Sequence, residues 1–178
     1  VTTALAVSSG MTFKDGTKEA TVTLEMGHIF AKKLLQAGYD VLLIRDGEDV
    51  QLDNVARTVL ANNKADAHIA LHWDATEKDN GAFFMSVPDA LKRMEPVASN
   101  WQNHEKLGDS LISGLKGQGV KIFGKGRMDM DLTQTSYSTI PSVDIELGDK
   151  VSDHGEKTLN NLADGLVKGV NIYYGFSS

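Results

Sequence analysis

Two histidines occupy a short apolar stretch of the kind that carries functional groups in α/β proteins. Residues 67–75 are mostly small or apolar, apart from His68, His72 and Asp74, and a polar run follows them. This pattern predicts a buried strand. Ligands of open α/β sheets bind at the carboxyl ends of strands, so His72 is placed to bind a metal or transfer a proton. His68 lies deeper on the same face, and a satisfied polar group is its simpler interpretation.

Carboxylates are predicted to reach the same edge of the sheet. Glu146 ends the strand sequence Pro-Ser-Val-Asp-Ile-Glu, and burying its charge is costly unless it is paired or bound. Asp144 shares its face and competes with it for a functional role. Glu19 opens the helix after the first predicted strand, where the helix dipole alone could also favour an acid. One histidine with carboxylates can hold a catalytic zinc that activates water.

Alternating strands and helices are predicted to position these groups. Apolar runs predict strands at residues 3–8, 41–44, 67–75, 81–87 and 141–146, the second of them central in the sheet. Helical spacing predicts helices at residues 19–37, 54–63, 103–115 and 158–173. Residues 120–131 are predicted to be a loop with at most a short strand. The fold class that follows is α/β, a single-domain, twisted, mostly parallel central sheet with helices on both faces. His104 and His154 are predicted at the surface.

Composition excludes several classes of function. The 178 residues fit one domain. The net charge is −6, and no segment concentrates enough Lys or Arg to neutralise a run of phosphates, which argues against binding to nucleic acid. The chain has no cysteine, so a metal must be held by His, Asp or Glu. No apolar run reaches the length of a membrane span. Gly124-Lys125-Gly126 lacks the rest of a phosphate-binding loop, which makes a nucleotide site unlikely.

Several motifs occur together in an order known from one enzyme family. They are Lys18-Glu19 at the start of a long helix, then Arg57, Ala61-Asn62, Ala65-Asp66, Leu71-His72-Trp73-Asp74-Ala75 and finally Ile140-Pro-Ser-Val-Asp-Ile-Glu-Leu-Gly148. This series resembles the zinc-dependent N-acetylmuramoyl-L-alanine amidases of the amidase-3 type. The last segment resembles their Met-Pro-Ala-Val-x-x-Glu-x-Gly, which bears the catalytic glutamate. The resemblance covers nearly the whole chain, so residues 1–178 are expected to form one amidase-3-like catalytic domain.

The resemblance implies a reaction and a role for each site residue. Glu19 and His72 match two ligands of Zn²⁺, and Glu146 matches the general acid/base. Asp74 matches a residue that either supports the metal ligands or fixes the loop. The implied reaction is hydrolysis of the amide between N-acetylmuramic acid and L-alanine of the peptidoglycan stem peptide, by a zinc-activated water. A monomer at the extracellular bacterial cell wall is expected. The alternatives are a non-catalytic peptidoglycan-binding relative with an incomplete metal site and a zinc carboxypeptidase-like hydrolase of another amide.

One departure from the family pattern affects the metal. The family has a further zinc-binding histidine directly after the first strand, where this chain reads Ser8-Ser9-Gly10-Met11 and has no histidine before His28. The interval from Gly10 to Glu19 is also short. Three explanations are open: an omitted loop after Gly10, which we favour, a rebuilt site, or a metal-free relative that only binds peptidoglycan. His28 lies too far along the helix to substitute easily.

Overall fold

The computed structural model describes residues 10–47 and 52–176. These residues form helices α1 (Glu19–Gln36), α2 (Asn54–Lys64), α3 (Val97–Gly117), α4 (Thr133–Tyr137) and α5 (Glu156–Tyr174), and strands β1 (His68–Asp74), β2 (Ala82–Ser86), β3 (Ile122–Asp129) and β4 (Ser142–Asp149). The first predicted strand, residues 3–8, lies outside the described residues. None of the described helices combines the length and apolar character needed to cross a bilayer.

The four strands form one mixed sheet in the order β1-β4-β2-β3. β4 pairs in parallel with β1 and antiparallel with β2, and β2 pairs in parallel with β3. Two of the three pairings are therefore parallel, and helices flank the sheet. This confirms the α/β fold class with a mostly parallel sheet.

Side-chain alternation along β4 separates the hydrophobic core from the functional groups. Val143, Ile145 and Leu147 are at most 4% exposed and belong to the main core. The core also receives apolar side chains from α1, α3 and α5, including Met26, Leu107, Leu111, Leu115, Leu159 and Leu166. Because successive strand residues point to opposite faces, Asp144 and Glu146 project from the other face of β4.

Local signals define where the first two helices begin and end. α1 buries Val22, Met26 and Phe30 at helical spacing, and Gly38 follows it with a φ of 91°, which a residue without Cβ adopts at little cost. Asp53 caps α2 by accepting a hydrogen bond from the Ala56 N–H at 2.7 Å. Both helices therefore follow the sequence prediction closely.

The structure corrects three predictions. Residues 41–44 form no strand with any described residue, and none of them is buried, so they lack the double-sided burial of a central parallel strand. Residues 122–129 form a full edge strand where a loop was predicted. His104 is 2% exposed instead of lying at the surface, and its Nδ1 accepts a hydrogen bond from the Ser142 N–H at 3.0 Å. His154 is only half-buried, in contact with Asp15.

Candidate active site

The pairing of β1 with β4 places His72 directly beside Glu146. These two residues are register partners in the parallel ladder, two strand positions beyond the pairing of Ala70 with Asp144. The antiparallel neighbour β2 also places Phe83 opposite Glu146. The predicted convergence of His72 and Glu146 at one sheet edge is therefore what the structure shows.

Glu19 is held at the start of α1 by main-chain hydrogen bonds. Its Oε2 accepts from the Met11 N–H at 3.0 Å, and its Oε1 accepts from the Trp73 N–H at 3.1 Å. The residue is 8% exposed. Burial acts to raise the pKa of Glu19, but hydrogen bonds from His72, Met11 and Trp73 outweigh it and lower the pKa below its usual value. Glu19 is thus a fixed, ionised carboxylate beside β1.

The His72 ring lies between two carboxylates. Its Nδ1 is 3.5 Å from Glu19 Oε1, and its Nε2 is 3.4 Å from Asp144 Oδ1. Desolvation lowers the pKa of His72, but its contacts with Asp144 and Glu19, together with the charge of Glu146, raise that pKa to about 10. The side chain is nevertheless 46% exposed, so part of the ring faces solvent.

Glu146 is a half-buried residue whose carboxylate lacks a complete set of partners among the described residues. Its Oε2 is buried and makes no hydrogen bond to any described residue. Burial raises the pKa of Glu146 to about 7; the positive charge of His72 opposes this rise, and the negative charges of Glu19, Asp74 and Asp144 add to it. A carboxyl group with a pKa near neutrality can both accept and donate a proton at physiological pH.

Two further acids shape the edge of the site. Asp74 accepts a hydrogen bond from the Thr76 hydroxyl at 3.0 Å. Asp144 contacts His72, although from the sequence it was only a competitor of Glu146 for a functional role. The alternation along β4 places both acids on one face, but it does not indicate which of them contacts His72.

Backbone hydrogen bonds close the short segment between Gly10 and Glu19, just before α1. Thr12 and Lys18 form a β-bridge, and the Phe13 N–H donates to the Thr17 carbonyl at 2.8 Å. The Glu19 N–H then donates to the Met11 carbonyl at 2.9 Å. The short interval between Gly10 and Glu19 is therefore closed as a compact turn next to the Glu19 carboxylate.

The donor set does not complete a catalytic zinc site, which needs three protein ligands. Within residues 10–47 and 52–176, no group of three or more His, Asp or Glu side chains is arranged to hold a metal ion. Glu19 and His72 supply two donors. Asp144 contacts the opposite nitrogen of the ring, so it cannot share a metal lying between Nδ1 and Glu19. These residues therefore support no step of the reaction that depends on zinc.

Comparison with known proteins assigns the chain to a family. The family model for the amidase-3 type, described as N-acetylmuramoyl-L-alanine amidase, matches residues 6–174. The chain belongs to this family. No curated protein sequence matches the chain.

Solved structures of N-acetylmuramoyl-L-alanine amidases share the fold. Ami1 from Mycobacterium smegmatis has a TM-score of 0.79 at 18% identity, covering 96% of this chain and 83% of that chain. AmiC2 of Nostoc punctiforme has a TM-score of 0.77 at 19% identity, with 94% and 91% covered. CwlD from Clostridioides difficile, solved in complex with the GerS lipoprotein, has a TM-score of 0.77 at 18% identity, with 95% and 93% covered.

Proposed function

We propose that this amidase-family chain hydrolyses the amide between N-acetylmuramic acid and L-alanine of the peptidoglycan stem peptide. The observation that carries the proposal is the buried, unpartnered Oε2 of Glu146, in the segment that resembles the family's glutamate motif and beside His72. Family membership supports peptidoglycan as the substrate. This substrate would place the protein at the extracellular cell wall, where we expect it to act as a monomer.

In the proposed reaction Glu146 moves the proton. The carboxylate accepts a proton from the attacking water and returns it to the leaving amine. For this general acid/base catalysis, the carboxylate must lie within hydrogen-bond reach of both the water and the amine. His72 contributes positive charge next to this carboxylate, and Asp144 and Glu19 hold its ring from both sides. The resemblance predicts a zinc cofactor and a zinc-activated water, but the described donors do not complete a zinc site, so neither is given a role in this reaction.

The test is product analysis on purified peptidoglycan. The expected product is a free stem peptide with an N-terminal L-alanine, detected by mass spectrometry. Glu146→Gln keeps the shape of the side chain but cannot take up the proton, so it should lower the rate by about 10²- to 10⁴-fold. The matched control is Glu25→Gln, which changes an exposed carboxylate on α1 and should retain the wild-type rate. Unchanged hydrolysis by Glu146→Gln would refute the role of this residue.

The incomplete donor set favours one second candidate, a non-catalytic peptidoglycan-binding protein. This protein would co-sediment with insoluble peptidoglycan and release no stem peptide, with or without added zinc. The carboxypeptidase-like alternative differs in the bond that is cut, since it would release an amino acid from the stem peptide and leave the bond to the sugar intact. The same product analysis therefore separates all three functions.

A further inference from the structure

We propose that Met11 removes the third donor from an otherwise correctly spaced metal site, so that this chain does not retain zinc. The inference concerns metal binding and opposes the zinc cofactor that the resemblance predicts, whereas the role of Glu146 in hydrolysis is tested separately. It rests on the spacing of Glu19 and His72, on the position of residue 11, and on where the other histidines lie.

The first step is the spacing of the two donors that are present. Two ligand atoms bound to zinc at 2.0–2.1 Å in a tetrahedral arrangement lie about 3.3–3.4 Å apart. Glu19 Oε1 and His72 Nδ1 are 3.5 Å apart. Asp144, on the far nitrogen of the ring, occupies the place of a carboxylate that orients a metal-binding histidine. This half of a zinc site is therefore already in position.

The second step concerns residue 11. Its main-chain N–H donates to Glu19 Oε2 at 3.0 Å, so a side chain that begins at this residue starts next to the donor pair. The residue is methionine, and its half-buried side chain packs against the hydrophobic core. A thioether suits soft metal ions and is not among the usual protein ligands of zinc. Position 11 thus contributes no donor.

The third step is the placement of the other potential donors. The sequence has five histidines and no cysteine. Among them, His28 pairs with Asp46, His154 with Asp15, and His104 with the main chain of Ser142. His68 lies at the opposite end of β1 from the site. No second imidazole reaches Glu19 and His72 in the described structure, and no described Asp or Glu completes a group of three donors with them. The pair therefore stays two-coordinate on the protein side.

The test measures zinc retained by the full chain. Wild type, Met11→His and Met11→Leu are each equilibrated with zinc, desalted and analysed by mass spectrometry of the metal. Wild type and Met11→Leu should retain far less than one zinc per chain, and Met11→His should retain about one. Adding His72→Ala to Met11→His should abolish the gain, which locates the ion. Met11→Asp, with a smaller donor, is made in parallel so that the test does not depend on one variant folding.

Two results would overturn the inference. One is a wild-type chain that retains one zinc and loses it on His72→Ala. The other is a pair of folded Met11→His and Met11→Asp variants, with wild-type circular dichroism, that both retain no zinc. Neither result depends on hydrolysis, and the product analysis of peptidoglycan is read separately. The two proposals can therefore fail independently.

Discussion

At the scale of single residues, burial has opposite effects on two titratable groups. Glu146 is a half-buried acid whose charged form is disfavoured by desolvation of the carboxyl group, which raises its pKa to about 7. His104 is a buried base whose charge is disfavoured, which lowers its pKa to about 4. The first lies beside His72 at the sheet edge, where a near-neutral pKa serves proton transfer. The second lies in the interior and affects stability.

His104 should make the protein less stable in acid. Its pKa is about 4 in the fold and 6.5 without burial, so the unfolded chain binds the proton more tightly between these values. The stabilising contribution of neutral His104 to the free energy of unfolding is complete above pH 6.5 and is lost as the pH falls towards 4. From pH 7.5 to 4.5 the free energy of unfolding should fall by about 2–3 kcal/mol from this residue alone. Urea unfolding at both pH values measures the loss.

His104→Asn is the matched variant for that measurement. The amide oxygen can still accept the hydrogen bond from the Ser142 N–H, but the side chain does not titrate. The variant should therefore lose about 2–3 kcal/mol less than wild type over the same pH interval. Equal losses in the two proteins would show that other groups cause the acid sensitivity.

The roles of site residues were partly visible in the sequence. Glu19, His72 and Glu146 were predicted to meet, because each stands where an element begins or ends at one sheet edge. The contact between Asp144 and His72 could not be predicted, since the register of β1 against β4 depends on which strands become neighbours. The burial of His104 depends likewise on packing between α3 and β4, which a single polar residue in a helix does not reveal.

At the scale of elements, periodic helices were predictable and isolated apolar runs were not. α1, α2 and α5 carry apolar residues at helical spacing over several turns, so their limits were predicted to within a few residues. Residues 41–44 are apolar but unburied, and a run this short does not reveal its neighbours. β3 is an edge strand with exposed Lys125 and Met128, so its sequence lacks the alternation of apolar and polar residues that predicts a strand.

The crossing of α3 and α5 should tolerate no side chain at Gly114. A Cβ added there would lie 2.1 Å from the Gly165 carbonyl oxygen and 2.4 Å from the Gly169 nitrogen. Because both obstacles are backbone atoms, Gly114→Ala should force the helices apart and lower the free energy of unfolding by about 3 kcal/mol. Denaturant unfolding measures the change.

Gly117 provides the control on the same helix. A Cβ at Gly117 meets nothing within 4 Å, so Gly117→Ala should change the free energy of unfolding by about 1 kcal/mol or less, in the stabilising direction. If both alanine variants had the same stability, close backbone packing between α3 and α5 would not be what requires the glycine.

At the scale of the whole molecule, a hydrogen bond joins the end of α1 to the last helix. The Tyr39 hydroxyl donates to Asn171 Oδ1 at 2.7 Å. Tyr39→Phe and Asn171→Ala should each lower the free energy of unfolding by about 1 kcal/mol. The double variant should lose less than the sum, because both changes remove the same bond. Thermal or denaturant unfolding of the four proteins gives the coupling energy, and strict additivity would contradict the interaction.

The pairing of β1 with β4 has a consequence for how the chain folds. β1 and β4 are neighbours in the sheet but are far apart in sequence, because four elements lie between them: β2, α3, β3 and α4. His72 and Glu146 therefore meet only after a long loop has closed, and closing such a loop costs entropy before the strand contacts form. A nascent chain that ends before Ser142 leaves an edge of β1 unpaired and open to other strands. The site consequently forms late, together with the complete sheet.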